Sequence, residues 1–173
     1  MNRIELVQVC EKYKREIIDY KREFEINNDS LHGTACIQNY ENFESWLKKV
    51  QEHLKEETIT DGFVPATTYM AIRKEDGRLI GMIDIRHRLN DYLFHFGGNI
   101  GYSIRRSERR KGYATEMLKL ALEKCREINM DKVLITCDKE NIGSAKTILN
   151  NGGILENEVP EDGRVTQRYW ISV

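Results

Sequence analysis

The chain has 173 residues, of which 40% are hydrophobic, so its length and composition suit a single domain with a sizeable core. Its 27 lysines and arginines nearly balance its 28 aspartates and glutamates, which gives a net charge of -1. This balance argues against a nucleic-acid binder and against a protein that binds membrane surfaces through charge.

The N-terminal sequence and the cysteines indicate a cytoplasmic protein. Residues 1–5 lack the apolar stretch of a signal peptide, and no apolar run approaches the roughly 20 residues that span a bilayer. The cysteines have no CxxC spacing and lie in apolar stretches, so we expect reduced thiols and neither a disulfide framework nor a metal site. They are Cys10, Cys36, Cys125 and Cys137.

The N-terminal third is predicted to be mainly helical. A short strand over residues 4–7 precedes a helix that begins near Cys10 and ends near Asn27, because apolar residues recur there at three- and four-residue steps. Residues 29–40 carry turn residues and no period. A second apolar stripe then indicates another helix, with Phe43, Trp46, Leu47, Val50 and Leu54 on its buried face.

The middle of the chain reads as three strands. Residues 68–73 and 79–85 are joined by Glu75-Asp76-Gly77-Arg78, which is a hairpin signal. Residues 89–98 are predicted to form a loop, and residues 99–104 alternate as a strand that runs directly into a basic segment.

The C-terminal part alternates helices and strands. A helix follows the basic segment, residues 133–137 form a short apolar strand, and residues 142–150 form a helix that Gly152-Gly153 ends. Two last strands flank residues 160–164. The predicted fold is therefore of the α/β (α+β) class, a mixed and mostly antiparallel sheet of about six or seven strands with helices on both faces.

The segment Arg109-Arg110-Lys111-Gly112-Tyr113-Ala114 is the strongest functional signal. Its basic residues are followed by Gly112, where an amphipathic helix is predicted to begin. The first amides of a helix have no intrahelical partner and lie at the positive end of the helix dipole. Such a helix start is suited to a phosphate or pyrophosphate. The alternative, a solvated basic patch at a turn, would explain the charges but not the placement of Gly112.

This segment, the strand before it and Asn141 downstream resemble the acyl-coenzyme A site of the GCN5-related N-acetyltransferase (GNAT) superfamily. The loop matches the family pattern Gln/Arg-x-x-Gly-x-Gly/Ala. The resemblance covers residues 68–173, whereas residues 1–66 are similar only to the variable helical start of the family. It implies one GNAT-like domain that uses acetyl-CoA, or another acyl-CoA, as acyl donor.

The resemblance also implies roles for individual residues. The pyrophosphate would be held mainly by the backbone of Arg109, Arg110, Lys111, Gly112, Tyr113, Ala114 and Thr115. The pantetheine arm would pair with the backbone of Tyr102, Ser103 and Ile104, as an extra strand would. Asn141 and Ser144 would contact the arm from the other side, although Asn141 would also serve as an ordinary helix N-cap.

The chain departs from the family at both proton-transfer positions. Many relatives carry a tyrosine acid seven residues after the asparagine, where this chain has Ile148, and some carry a glutamate base near Gly98. Neither role transfers, so proton transfer is expected to use water or another group. The weak candidates are Asp84, His87 and Tyr102, with Tyr169 as a further phenol; each also has a structural explanation as an edge charge, an exposed histidine or a core aromatic residue.

The expected reaction is transfer of an acetyl group to a small-molecule or peptide amine, with no nucleic-acid or membrane partner. One alternative is a non-catalytic module that binds or senses acyl-CoA, and another is a site for a different phosphate ligand such as a nucleotide. The sequence leaves the amine acceptor open. A homodimer is also left open, since the last strand, as an exposed edge, would be able to pair with a second chain.

Overall fold

The protein is an α+β domain with seven strands in two sheets and four α-helices. A computed structural model describes residues 2–173, apart from the side chain of Glu161; Met1 lies outside the described residues. The strands are β1 Ile4–Gln8, β2 Ala66–Arg73, β3 Leu79–Arg86, β4 Ile100–Ile104, β5 Lys132–Asp138, β6 Ile154–Glu161 and β7 Arg164–Ser172. The helices are α1 Lys14–Ile26, α2 Phe43–Glu52, α3 Tyr113–Glu127 and α4 Ile142–Asn150.

Both sheets are antiparallel throughout. The first has the order β1-β2-β3-β4 and the second the order β5-β7-β6, and β4 lies beside β5 where the two sheets meet. In the first sheet, Asp84 of β3 lies opposite Gly101 of β4. The predicted fold class is confirmed.

Helices cover both faces, because β3 is buried at seven consecutive positions, residues 79–85, and therefore needs a cover on each side. On one face, α3 and α4 pack on a core that contains Ile83 of β3, Ile135 of β5 and Ile148 of α4. On the other face, α1 and α2 bury Phe24 and Trp46 against the first sheet. The helix predicted from Cys10 begins at Lys14, because a 3₁₀ turn over Glu11–Tyr13 precedes it.

The predicted loop over residues 89–98 is partly wrong, because it contains a π-helix, Leu93–Gly97. Its carbonyls are held by the second sheet: the Thr136 hydroxyl donates to the carbonyl of Phe96, and the Arg168 guanidinium donates to the carbonyl of Phe94 at 2.8 Å. The wide helical turn has no counterpart in hydrophobic periodicity, which explains why the sequence did not indicate it.

The prediction that the last strand is an exposed edge is also wrong. Strand β7 pairs on both sides, with Trp170 opposite Leu134 of β5 and Ile154 of β6, so the edge strand is β6. The predicted turn over residues 160–164 shortens to Asp162-Gly163, both with positive φ as a two-residue hairpin turn requires.

The sequence predicts neither a membrane-spanning segment nor a metal site, and the structure can be searched for both. No helix within residues 2–173 is both long and apolar enough to cross a membrane. In the same residues, no three His, Cys, Asp or Glu side chains are grouped so that they would hold a metal ion. All four cysteines are free thiols.

Candidate functional site

A cleft of about 600 Å³ opens where the two sheets separate, between β4 and β5. Its walls come from the connection between α1 and α2, from β4, from the basic loop and start of α3, and from the start of α4. It is lined by Asp29, Ser30, His32, Tyr102, Ser103, Ile104, Glu108, Arg109, Arg110, Gly112, Tyr113, Ala114, Thr115, Asp138, Asn141, Gly143, Ser144, Thr147 and Arg164. The structure therefore brings most of the predicted coenzyme A residues together.

Asn99 joins the two sheets just before β4 begins. Its N–H donates to the carbonyl of Leu134 at 2.6 Å, and its Oδ1 accepts from the Leu134 N–H at 2.8 Å. On the other side, its Nδ2 donates to the carbonyl of Arg86 and its own carbonyl accepts from the Arg86 N–H. The side chain is buried, and its Oδ1 and Nδ2 are both hydrogen-bonded. It therefore has a structural role next to Gly98, where some relatives carry a glutamate that acts as general base.

The cleft exposes one backbone edge of β4. Toward β3, Arg105 donates its N–H to Ile80 and Asn99 accepts from Arg86, so odd-numbered residues pair with β3. Backbone groups alternate along an antiparallel strand, and Tyr102 and Ile104 therefore direct their N–H and C=O groups to the cleft. The Ile104 carbonyl accepts from Arg109 Nε at 2.9 Å, which leaves the Ile104 N–H and both groups of Tyr102 for an extended ligand.

The start of α3 presents unpaired amides at the opposite end of the cleft. Gly112 has φ +82° at the N-cap position, and no side chain caps this helix. The first intrahelical bond runs from Glu116 N–H to Gly112 O, so the amides of Tyr113, Ala114 and Thr115 have no acceptor within the helix. An anion placed here meets several N–H donors and the positive end of the dipole.

The basic loop is folded around a buried acid, Glu108. The carboxylate is 3% exposed and lies within 3.2 Å of Arg73, Arg78 and Lys111. Burial acts to raise the pKa of Glu108, but the hydrogen bond from Lys111 and the charges of Arg73 and Arg78 outweigh it and hold the pKa below its ordinary value. The charge of Lys111 is thus largely used within the protein.

Two further arginines of the loop are also committed to internal pairs. Arg105 is buried and pairs with Asp19 of α1 at 2.8 Å, and Arg109 pairs with Asp29 at 3.0 Å. Arg110, by contrast, is exposed on a left-handed backbone with φ +62°. A ligand at the predicted basic patch would therefore meet mainly backbone amides and Arg110, because the other basic side chains named here are paired within the protein.

Arg3 supports the loop from behind. Its Nε lies 2.9 Å from Glu116, its Nη1 donates to the carbonyl of Lys111 at 3.0 Å, and its guanidinium lies 4.4 Å from the ring centroid of Tyr113. These contacts tie the start of β1 to the first turn of α3, which fixes the direction of the free amides.

The wall opposite β4 is the first turn of α4. Asn141 caps this helix by accepting from Ser144 N–H at 3.1 Å, so the structural role predicted for Asn141 is confirmed. The Ser144 hydroxyl lies 2.8 Å from the Tyr102 hydroxyl, across the cleft. Burial raises the pKa of Tyr102 to about 12 and that of the neighbouring Cys137 thiol to about 11, so both groups stay protonated at neutral pH.

The connection between α1 and α2 crosses β4 and contributes Asp29, Ser30 and His32 to the cleft wall. The Ser103 hydroxyl donates to the carbonyl of His32 and also contacts the hydroxyl of Tyr20 at 3.0 Å. Gly33, with φ +70°, lies so close to β4 that a Cβ there would be 2.5 Å from the carbonyl of Gly101. Sequence periodicity missed this segment, and Gly33 itself was the single local sign of a close backbone approach.

The candidates Asp84 and His87 are not brought into the cleft. Asp84 is buried on the face toward α1 and α2, accepts from the Thr68 hydroxyl at 2.8 Å and lies 3.6 Å from Arg86. The His87 ring is 2.8 Å from the Thr67 hydroxyl, and burial lowers its pKa below the ordinary value. Of the three weak candidates, Tyr102 alone lines the cleft.

Solved structures of acetyltransferases share this fold. A ribosomal-protein-S5-alanine acetyltransferase from Vibrio fischeri is 14% identical, with a TM-score of 0.73 over 99% of this chain and 94% of that one. A microcin C7 self-immunity acetyltransferase, solved with acetyl-CoA and AMP, is 18% identical, with a TM-score of 0.73 over 100% and 94%. A spermidine N-acetyltransferase from Vibrio cholerae, solved with CoA and spermine, is 15% identical, with a TM-score of 0.68 over 98% and 95%.

The sequence itself identifies the family. The comparison with functionally curated proteins gives no significant match. The acetyltransferase (GNAT) domain family, however, matches residues 5–154, which include β1 apart from its first residue, β2 to β5, all four helices and the whole basic loop. The chain therefore belongs to the GNAT acetyltransferase family and is an acetyl-CoA-dependent acetyltransferase.

Proposed function

We propose that the protein transfers the acetyl group of acetyl-CoA to a primary amine by direct attack of the amine on the thioester. The observation that carries this proposal is the uncapped start of α3, which opens into the same cleft as the free backbone edge of β4. The two features together fit a ligand with a pyrophosphate at one end and an extended amide-bearing arm at the other.

We assign each part of coenzyme A to one wall of the cleft. Residues Arg109 to Thr115 hold the pyrophosphate, chiefly through the amides of Tyr113, Ala114 and Thr115. The pantetheine arm pairs with the C=O of Tyr102 and the N–H of Ile104, while the backbone of Ser103 is directed to β3. Asn141 and Ser144 border the arm on the opposite side, where both line the cleft.

The chemistry follows from holding the thioester beside the β4 edge. The neutral amine forms the new C–N bond, the C–S bond breaks and its electron pair goes to sulfur, while the surplus proton of the amine passes to water. Orientation of the two reactants accounts for several kcal/mol of such a barrier. The Tyr102 N–H, fixed toward the cleft, is placed to stabilise the developing oxyanion.

The acceptor is a small-molecule or peptide amine, and the fold does not narrow it further. Solved relatives with the same fold are described as acting on spermidine or on a ribosomal-protein alanine. Those acceptors differ in size and charge although the fold is the same. The geometry of the cleft therefore supports an amine as the acceptor group but does not select the molecule that carries it.

The donor site is tested by substitution of Gly112. In Gly112→Val a β-branched residue is forced to φ +82°, which costs about 1–2 kcal/mol and moves the amides, so coenzyme A should bind about tenfold more weakly or worse by calorimetry. Gly62→Val is the matched control, since Gly62 has φ +84° and open space around it. If Gly112→Val and Gly62→Val bound coenzyme A equally well, the proposed pyrophosphate site at the start of α3 would be contradicted.

The reaction is tested by thiol release from acetyl-CoA with a panel of amines, including polyamines, amino acids and peptides with free N-termini. Turnover with any of them supports the proposal. Tight coenzyme A binding with no turnover favours a non-catalytic binding module, which the buried Ile148 in place of the family tyrosine permits. Displacement of acetyl-CoA by ATP in a thermal-shift assay would favour a nucleotide site instead.

A further inference from the structure

The side chain of Tyr102 lines the cleft and reaches from β4 to the first turn of α4. Its backbone faces the cleft, and its ring extends from β4 toward α4, packed against the core that contains Ile148. The hydroxyl lies 2.8 Å from the Ser144 hydroxyl and 3.4 Å from the Ser144 carbonyl. The phenol therefore spans the cleft at the level of the first turn of α4.

The position of Ser144 relates this phenol to Ile148. Residues 144 and 148 lie one turn apart on the same face of α4, and helical side chains lean toward the helix N-terminus, so a long side chain at 148 would reach the surface near residue 144. Ile148 is instead fully buried, and its Cγ2 would lie 2.4 Å from a Cβ at Gly153. The hydroxyl of Tyr102 occupies the place that a tyrosine at 148 would have reached.

We propose that Tyr102 is the catalytic acid of this transferase: it donates a hydrogen bond, and then its proton, to the coenzyme A sulfur as the C–S bond breaks. This inference rests on the proposed function and names the acid of that same site. The electron pair of the C–S bond goes to sulfur, the O–H bond of Tyr102 breaks as the S–H bond forms, and the phenolate regains a proton from water through Ser144.

Ser144 orients the phenol for this role. Either hydroxyl of the pair is able to be the donor. When the Ser144 hydroxyl donates to the Tyr102 oxygen, the Tyr102 proton is free to turn toward a sulfur in the cleft. Because burial raises the pKa of Tyr102, the phenol holds this proton throughout the neutral range.

The other ionisable groups around Tyr102 do not compete with it. On β5, Cys137 has a pKa raised to about 11 by burial, and Asp138 lies at the cleft wall. Across the cleft, desolvation and the charges of Arg86 and Arg164 lower the pKa of His32, so it is neutral above pH 7. Between neutral pH and about pH 9.5, the coenzyme A thiol begins to ionise at this point; it is a somewhat weaker acid than the cysteine thiol, which ionises near pH 8.5.

The contact with sulfur is tested by binding, without any acceptor. Calorimetry compares coenzyme A with desulfo-coenzyme A at about pH 7, where the thiol is neutral, and at about pH 9.5, where a substantial fraction of it is thiolate. The measured quantity is the ratio of the affinity for coenzyme A to the affinity for desulfo-coenzyme A. Because a hydrogen bond to a charged group is strong, Tyr102→Phe should lower this ratio about tenfold at the higher pH and change it little at neutral pH. An unchanged pH dependence in Tyr102→Phe would overturn the proposal.

Tyr169→Phe is the matched control, because Tyr169 is a buried phenol on β7 that bonds to Gln167 at 2.7 Å and does not line the cleft. It should bind both ligands as the unmodified protein does. Ser144→Ala keeps the phenol but removes its partner, and should show a smaller loss in the same direction.

Turnover supplies the second measurement once an amine is found. Tyr102→Phe should lower kcat about 100-fold with a nearly unchanged KM for acetyl-CoA, as expected for loss of an acid. Unchanged kcat would reject Tyr102 as the acid. If the unmodified protein turns over no amine while the pH-dependent sulfur preference persists, the contact with sulfur stands and the proposed transfer fails.

Discussion

The two ends of the cleft are built in different ways. The end proposed to bind the pyrophosphate, called the phosphate end, is made by one continuous stretch, from Arg105 to Glu116, whose donors are backbone amides at the start of α3. The end proposed to hold the thioester, called the acyl end, is assembled from β4, the connection between α1 and α2, and the first turn of α4. An anion site made by local backbone geometry is visible in a sequence, whereas a reaction site made by distant side chains is not.

The two ends also differ in what stabilises them. Ion pairs around the buried Glu108 and the contacts of Arg3 hold the phosphate end. Close backbone packing at Gly33 and the hydrogen bonds of Ser103 hold the acyl end. Substitutions at the two ends should therefore separate into effects on charge and effects on packing.

The largest effect is expected from Gly33→Val at the acyl end. The new side chain meets the backbone of Gly101 and Tyr102 within 2.6 Å, so packing strain adds to the cost of φ +70° and the free energy of unfolding should fall by about 4 kcal/mol. Chemical denaturation measures this. Gly77→Val, with φ +71° in open space, should lose about half as much; similar losses in both would show that the close approach to β4 is not stabilising.

At the phosphate end, Glu108→Gln should lower the free energy of unfolding by about 2 kcal/mol at neutral pH, because three cations lose their buried counter-charge and two of them are partly solvated. The folded pKa of Glu108 is lowered, so its contribution is complete above its ordinary value of 4.5 and is lost as the pH falls through the lowered value. Denaturation midpoints from pH 7 to pH 3 should fall less steeply in the variant. A parallel pH profile would contradict this assignment.

Ser103→Ala should have a smaller effect, about 1 kcal/mol, since it removes the hydrogen bond to His32 while the Tyr20 hydroxyl keeps the Ser103 carbonyl as acceptor. Hydrogen exchange should quicken in the connection between α1 and α2. Affinity for adenosine 3′,5′-bisphosphate, which tests only the phosphate end, should stay unchanged. A loss of that affinity would mean that the two ends are not independent.

The smallest effect is expected from Arg110→Ala. Because Arg110 is exposed, its loss should weaken coenzyme A binding about threefold at low salt. The two proteins should bind equally near physiological ionic strength, where surface charges are screened. Arg126→Ala, an exposed arginine at the far end of α3, is the control. A salt-independent loss at Arg110 would indicate a direct, desolvated contact.

Local features of the fold were predictable from the sequence. The bounds of α4 follow from Asn141 as N-cap and from the glycines after Asn151, and the structure confirms residues 142–150. The strand, the glycine and the helix around the basic loop were equally local. In each case the signal and the structure involve neighbouring residues, so periodicity and capping suffice.

Features that depend on distant partners were not predictable. The charges of Arg105 and Arg109 are used by Asp19 and Asp29, about 80 residues away in the sequence, so the loop reads as more cationic than it is. The π-helix depends on Thr136 and Arg168, and the inner position of β7 depends on pairing with β5. The closeness of Tyr102 to Ser144 likewise exists only after the two sheets meet.

Asn99 has a mechanical consequence for the whole cleft. The five residues of β4 beyond it extend about 17 Å, so a change of about 5° in the angle at which β3 and β4 together meet β5 displaces the far end of β4 by about 1.5 Å. A misplacement of about 1 Å already costs about 100-fold in an oriented reaction. The backbone and side chain of Asn99 therefore fix the angle between β4 and β5, and in the proposed reaction they control the distance between thioester and amine without contacting either.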